Sequence, residues 1–212
     1  MNAQTKNTQA ERTPEAALQV LKDGNRRFAT NSVHVKNWDE QAAAVSEGKH
    51  PIATILHCID SRVSAELLFD QGIGDIFSIR IAGNFMNEDI LGSMEFACKL
   101  AGTPLLVVLG HTDCLAVKGA CDHIRMGNLS GLIEKIETAV ASVLEPTDES
   151  DRTSKNQDFV NNVSRNNVDM TLENIRSQST ILKEMEEKGE IDIVGAMYDV
   201  VSREVSFYKS IG

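Results

Sequence analysis

The apolar positions along this chain switch repeatedly between a helical spacing and short unbroken runs. Thr13 precedes Pro14 and Glu15, a cap followed by a first-turn proline and an early acid, and Ala17, Leu18, Leu21 and Phe28 then recur at helical spacing. A second short helix is predicted from about Trp38 to Ser46. The short, largely apolar run Ile52 to Leu56 is closed by Cys58 and reads as a buried strand. Ser64 is placed to cap a helix over Ala65 to Phe69, Asp75 to Ile81 forms a second strand, and Ile90 to Leu100 a helix. Pro104 to Leu109 is almost wholly aliphatic, as a strand covered on both faces should be. Helical stretches follow from Leu115 to about Met126 and from Leu129 to Leu144. Glu145 to Gln157 is polar, carries Pro146 and reads as a loop, and a helix is predicted from Thr171 to Lys188, stopped by Gly189. Ile191 to Met197 is a fourth strand, and Glu204 to Tyr208 a short edge strand.

Strands alternating with helices imply an α/β fold, a parallel β-sheet core flanked by helices and joined by right-handed crossovers. An N-terminal helical arm and a possible antiparallel edge strand complete the expected architecture. The 212 residues suit a single domain over 1–212, with residues 1–12 as an arm or a disordered segment. The formal charge of −10, from 21 basic and 31 acidic side chains, lacks the basic excess that a nucleic-acid or anionic-membrane partner would favour. Met1 to Thr13 is polar and holds no run apolar enough for a signal peptide or a membrane span, so a cytoplasmic protein is expected.

Four cysteines, at 58, 98, 114 and 121, form neither a C-x-x-C pair nor a disulfide-dense pattern, which points to metal binding plus buried thiols. Two stretches carry the chemistry: Cys58-Ile59-Asp60-Ser61-Arg62 and His111-Thr112-Asp113-Cys114. Two thiolates and an imidazole are a three-ligand set suited to zinc, and a catalytic site keeps its fourth position for water or substrate. Cys58 falls at the carboxyl end of the first strand and His111 just past the end of the third, where open α/β sheets bind ligands. If the chain stays extended after Cys58, then Cys58, Asp60 and Arg62 share one side. A purely structural zinc, or two buried thiols near a core histidine, would use the same residues, and Asp60 with Arg62 would also serve as a structural ion pair. Cys98 and Cys121 read as small core residues and His57 as structural, facing the opposite side of its strand.

On these motifs the chain resembles the β-class carbonic anhydrases. The resemblance includes Cys58 to Val63, Gly74-Asp75-Ile76-Phe77 with Arg80, Ala82-Gly83-Asn84, Gly110 to Cys114, and Lys118-Gly119-Ala120-Cys121. It implies a Zn2+ ion held by Cys58, His111 and Cys114, with Asp60 and Arg62 as the dyad beside it. It also implies a second, inactive state in which Asp60 leaves Arg62 and becomes a fourth ligand. The substrates would be carbon dioxide and bicarbonate, and the assembly a dimer or tetramer whose helical arms wrap the partner. Lys49, Phe77, Ala82, Phe96 and Leu115 fall at the family's substrate-pocket positions. Two of these depart from the family: Leu115 stands where glycine is usual, and Lys49 where a glutamine often lies. A more apolar pocket would suit carbon disulfide or carbonyl sulfide, and a leucine obstructing the metal would leave a zinc protein without fast turnover.

Overall fold

The computed structural model describes residues 12–46, 48 and 50–208. Of the expected arm at 1–12 only Arg12 falls within them. Helix α1 (Pro14–Ala29) begins as its sequence requires: the Thr13 hydroxyl accepts from the Ala16 N–H at 3.2 Å, and Pro14 occupies the first turn. Arg26 and Arg27 close its last turn, where cations oppose the negative end of the helix dipole. Helix α2 (Trp38–Ala44) is capped by the Asn37 side chain. Strand β1 (Ala53–His57), the short helix α3 (Ala65–Leu68) and strand β2 (Ile76–Arg80) follow.

Helix α4 (Glu88–Glu95) runs into a π-helical turn at Phe96–Leu100 and then strand β3 (Leu105–His111). Helix α5 (Leu115–Cys121) is shorter than the pattern suggested, because the chain turns away at His123, which has a φ of 51°. Helix α6 (Leu129–Ser142) keeps its predicted place.

The largest difference from the expected elements lies in 157–187. Helix α7 (Gln157–Gln178) starts fourteen residues before the predicted Thr171, and α8 (Thr180–Glu187) is a separate helix. Four asparagines (161, 162, 166 and 167) give the early part weak intrinsic propensity, and this polar content masked it. Its buried residues Phe159, Val160, Val163, Val168, Leu172 and Ile175 nonetheless line one face, so packing decides its state. The two helices part at Ser179, which is extended (φ −114°, ψ 102°); its hydroxyl caps Leu182 at 3.1 Å and donates to Glu95 at 2.6 Å.

Strand β4 (Asp192–Tyr198) and β5 (Val205–Tyr208) complete a five-stranded sheet in the order β2-β1-β3-β4-β5. The first three pairings are parallel and β4–β5 is antiparallel, as the edge strand was expected to be. Every residue of β1 and β3 is buried. Ile55, Val107, Leu109 and Val194 pack toward α1 and α3, whereas Leu56, Leu106, Val108 and Ile193 pack toward α4, α7 and α8. This two-sided burial explains the aliphatic runs. After β1 the chain goes to one side for β2 and returns to the other for β3, so the carboxyl ends of β1 and β3 flank the point where strand order reverses.

Asn25 locks α1 onto this core. Its amide donates to the carbonyls of Leu68 at 3.2 Å and Arg203 at 3.1 Å, and its oxygen accepts from the Val205 N–H at 2.8 Å. The close approach needs Gly24, where an added Cβ would lie 1.8 Å from the Phe69 carbonyl oxygen. A glycine-to-alanine change inside a helix ordinarily stabilises by about 0.5–1 kcal/mol. Gly131→Ala in α6, with no atom within 4 Å of the new methyl, is expected to follow that rule. Gly24→Ala is expected to reverse it and cost about 1–3 kcal/mol through overpacking. Chemical denaturation of the two variants compares them directly; a stabilised Gly24→Ala protein would disprove the close contact between α1 and the end of α3.

Candidate metal centre and its cavity

Cys58 follows β1 immediately and His111 is the last residue of β3, the strand hydrogen-bonded to β1. Cys114 is the residue at which α5 begins. The Sγ atoms of Cys58 and Cys114 and a ring nitrogen of His111 lie within 4.8 Å of one another, and all three residues are buried. Asp60 is outside this group and bonded to Arg62, the arrangement expected of the paired dyad rather than of a fourth ligand.

The donor set fits a divalent transition metal on three independent grounds. The two sulfurs are 4.0 Å apart, twice a disulfide bond but near the ~3.8 Å edge of a tetrahedron with metal–sulfur bonds of about 2.3 Å. The Nδ1–H of His111 donates to the Thr112 carbonyl at 2.9 Å, which leaves Nε2 as a lone-pair donor. That buried Nε2 has no hydrogen-bond partner among the described residues. Finally, the two thiols are coupled: Cys58 is held low by the Cys114 S–H, with help from the Gly83 N–H, while that same pairing and burial push Cys114 up. A cation between them is what would let both ionise.

The loop carrying Cys58, Asp60 and Arg62 is fixed by its backbone. The guanidinium of Arg80, the last residue of β2, donates to the carbonyls of Cys58 (3.4 Å), Asp60 (3.1 Å) and Val63 (3.1 Å). The Gly83 N–H donates to Cys58 Sγ at 3.3 Å from a left-handed backbone with φ 77°, where an added Cβ would lie 2.4 Å from Ile136 Cδ1. His57 is fully buried behind this loop, bonded to the Cys58 carbonyl at 3.0 Å and to Ser78 Oγ at 2.7 Å. Burial, then the nearby Arg80 charge, lowers its pKa to about 4, so it is a neutral structural group.

Asp60 and Arg62 form a two-point pair: Nε donates to Oδ1 at 3.0 Å and Nη2 to Oδ2 at 2.8 Å. The Arg62 hydrogen bonds bring the Asp60 carboxyl down to about 2, so it is an anion throughout the neutral range. Two further residues join this pair that had been assigned no role. Asp113 accepts from Arg62 Nη1 at 2.9 Å, and its other carboxylate oxygen bonds Lys118. Both belonged to the motifs already singled out, but nothing in their spacing distinguished a functional contact from a solvated charge.

A cavity of about 680 Å³ opens over Cys58, Asp60 and Arg62, and its walls include Ala82, Leu115, Ile124, Met126 and Ile133. Ala82 and Leu115 therefore line this cavity. Leu115 is 77% exposed, so it stands at the mouth and does not fill the buried space beside the three donor atoms. Phe77 and Phe96 line a different cleft, beside β2, and are not among the residues lining the cavity over Cys58. Lys49 lies outside the described residues. Cys98 and Cys121 are core thiols, each raised to about 11, chiefly by burial.

Comparison with known proteins agrees with this construction. The family model for carbonic anhydrase matches residues 53–205. Carbonic anhydrase 2 of Mycobacterium tuberculosis is 36% identical over 190 residues, covering 88% of this chain and 89% of that protein. Among solved structures, the β-carbonic anhydrase CafA of Aspergillus fumigatus superposes with a TM-score of 0.72 at 23% identity, over 93% of this chain and 91% of that one. A tetrameric β-carbonic anhydrase of Sordaria macrospora gives 0.69 at 19% identity, over 76% and 82%. With its strand order, its Cys-His-Cys group and this match over most of its length, the chain belongs to the carbonic anhydrase family and has the fold of the β class.

Proposed function

We propose that the protein is a zinc-dependent carbonic anhydrase, catalysing the reversible hydration of carbon dioxide to bicarbonate. The observation that supports this most directly is the convergence of Cys58, His111 and Cys114 within 4.8 Å of one another, with Cys58 in the wall of a cavity that also holds the paired Asp60 and Arg62. These three side chains would hold the zinc, which when bound supplies a Lewis acid able to acidify water near neutral pH.

The chain's own groups account for the rest. Asp60, ionised and gripped by Arg62, can only accept a hydrogen bond, so it orients the attacking water through its proton and directs a lone pair into the cavity. The grip also holds Asp60 away from the three donors. Ile59, Leu115, Ile124, Met126, Leu129 and Ile133 give the cavity an apolar wall suited to an uncharged linear gas molecule. Burial of Cys58, His111 and Cys114 keeps bulk water off the donors. Carbonyl sulfide or carbon disulfide is a second substrate class that the same apolar wall would admit.

We further read the protein as a homo-oligomer. The cleft lined by Phe77 and Phe96 borders the unpaired edge of β2, and the similar Sordaria macrospora enzyme is described as tetrameric. A second chain would bring those rings to a neighbouring cavity. No helix among the described residues is long and apolar enough to cross a membrane.

Two outcomes are expected. Stopped-flow assay of the zinc-loaded protein should show carbon dioxide hydration, and Asp60→Asn or Arg62→Ala should lower kcat/KM by about a hundredfold or more with zinc content unchanged. A fully zinc-loaded native chain that does not hydrate carbon dioxide would refute the proposal, and turnover of carbon disulfide alone would select the second substrate class. After chelation, iodoacetamide should alkylate Cys58 well before Cys98 and Cys121, because only Cys58 combines thiolate character with a place in the cavity wall. Peptide mass spectrometry reads the order, and equal labelling of all the cysteines would contradict it.

A further inference from the structure

We infer that Asp113 is a positioning residue that aims Arg62 at Asp60, with Lys118 as the counter-charge that holds Asp113 in place; as a role in turnover, this rests on the carbonic anhydrase reading above. A single salt bridge at this place would be a weak anchor. The Arg62 side chain is 43% exposed, and a long, exposed arginine held at one edge loses entropy for little gain. The structure instead holds both edges of the guanidinium. One edge donates through Nε and Nη2 to the Asp60 carboxylate, at 3.0 and 2.8 Å. The other donates through Nη1 to Asp113 Oδ2 at 2.9 Å and through Nη2 to the Asp113 carbonyl at 3.1 Å. A planar group gripped along two edges has one orientation left, and in it the fork faces Asp60.

Asp113 is itself fixed from three sides. Its backbone is left-handed, with a φ of 58°, which turns its carbonyl and carboxylate toward the same arginine. Its N–H donates to Asn161 Oδ1 on α7 at 3.2 Å. Lys118, one turn into α5, takes the remaining carboxylate oxygen. Charges therefore alternate along Asp60, Arg62, Asp113 and Lys118, and the four cancel. Neither Asp113 nor Lys118 belongs to the group of potential metal ligands, so their contribution runs through Arg62.

The test uses Asp113→Asn in the zinc-loaded protein, since asparagine tolerates a left-handed backbone and removes only the charge. Nitrogen-15 NMR should show the Arg62 Nε–H exchanging with water at least about tenfold faster than in the native protein, with zinc content unchanged. The kcat/KM for carbon dioxide hydration should fall about tenfold, at the lower end of what second-layer partners of metal sites cost. In an Arg62→Ala background the same change should alter kcat/KM by no more than about twofold, because the residue it acts through is gone. Asp113→Gly, equally at ease at positive φ, repeats both measurements with no side-chain acceptor left. Unchanged Arg62 exchange in both variants, or an equal kinetic cost with and without Arg62, would overturn the inference. If the native chain does not hydrate carbon dioxide, the functional reading falls, while faster Arg62 exchange in the variants would still establish the positioning.

Discussion

The parallel pairing of β1 with β3 is the constraint on which the rest of the molecule depends. Register sets His57 beside Leu109, so Cys58 and His111 emerge from neighbouring strand ends although 53 positions separate them in the chain. Both strands are buried along their whole length, which makes a slip costly, since every side chain would change faces. Sulfur and imidazole donors inherit that rigidity. A site at strand ends is positioned more precisely than one carried by long loops alone.

Around that frame the polar contacts form layers with separate tasks. Arg80 and the Gly83 N–H hold the first loop through its backbone and the Cys58 sulfur. The second loop is held by the Thr112 N–H on the Tyr198 carbonyl at 2.9 Å and by the Val200 N–H on the Thr112 hydroxyl at 3.0 Å. Main-chain anchors leave the side chains of Asp60, Arg62 and Asp113 free to interact with each other across the two loops. The charged network then sits at the wall of a cavity whose remaining lining is largely aliphatic.

The free edge of β2 gives this arrangement an outward side. Among the described residues β2 is an edge strand with two phenylalanines in the adjoining cleft, and such edges are commonly covered. Phe77 and Phe96 were expected in the substrate pocket, but within the chain they line the cleft at this edge and not the cavity over Cys58. Of the five residues expected in the pocket, only Ala82 and Leu115 line the cavity over Cys58 among the described residues.

Much of this was legible in the residues alone. Alternation of aliphatic runs with helical spacing specified the α/β class and the strands, because burial on both faces demands unbroken apolar sequence. Cys58, His111 and Cys114 stood out as candidate metal ligands through donor chemistry, and Asp60 and Arg62 through their nearness to Cys58. Helix α7 was half hidden, since asparagine-rich sequence has little intrinsic helicity and only the packing of Phe159, Val163 and Val168 pays for it. Leu115 at the cavity mouth, Phe77 and Phe96 at another cleft, and the contact of Asp113 with Arg62 were decided by tertiary structure. Side-chain direction and distances between loops far apart in sequence follow from how the sheet twists and how helices settle on it, and no local pattern encodes them.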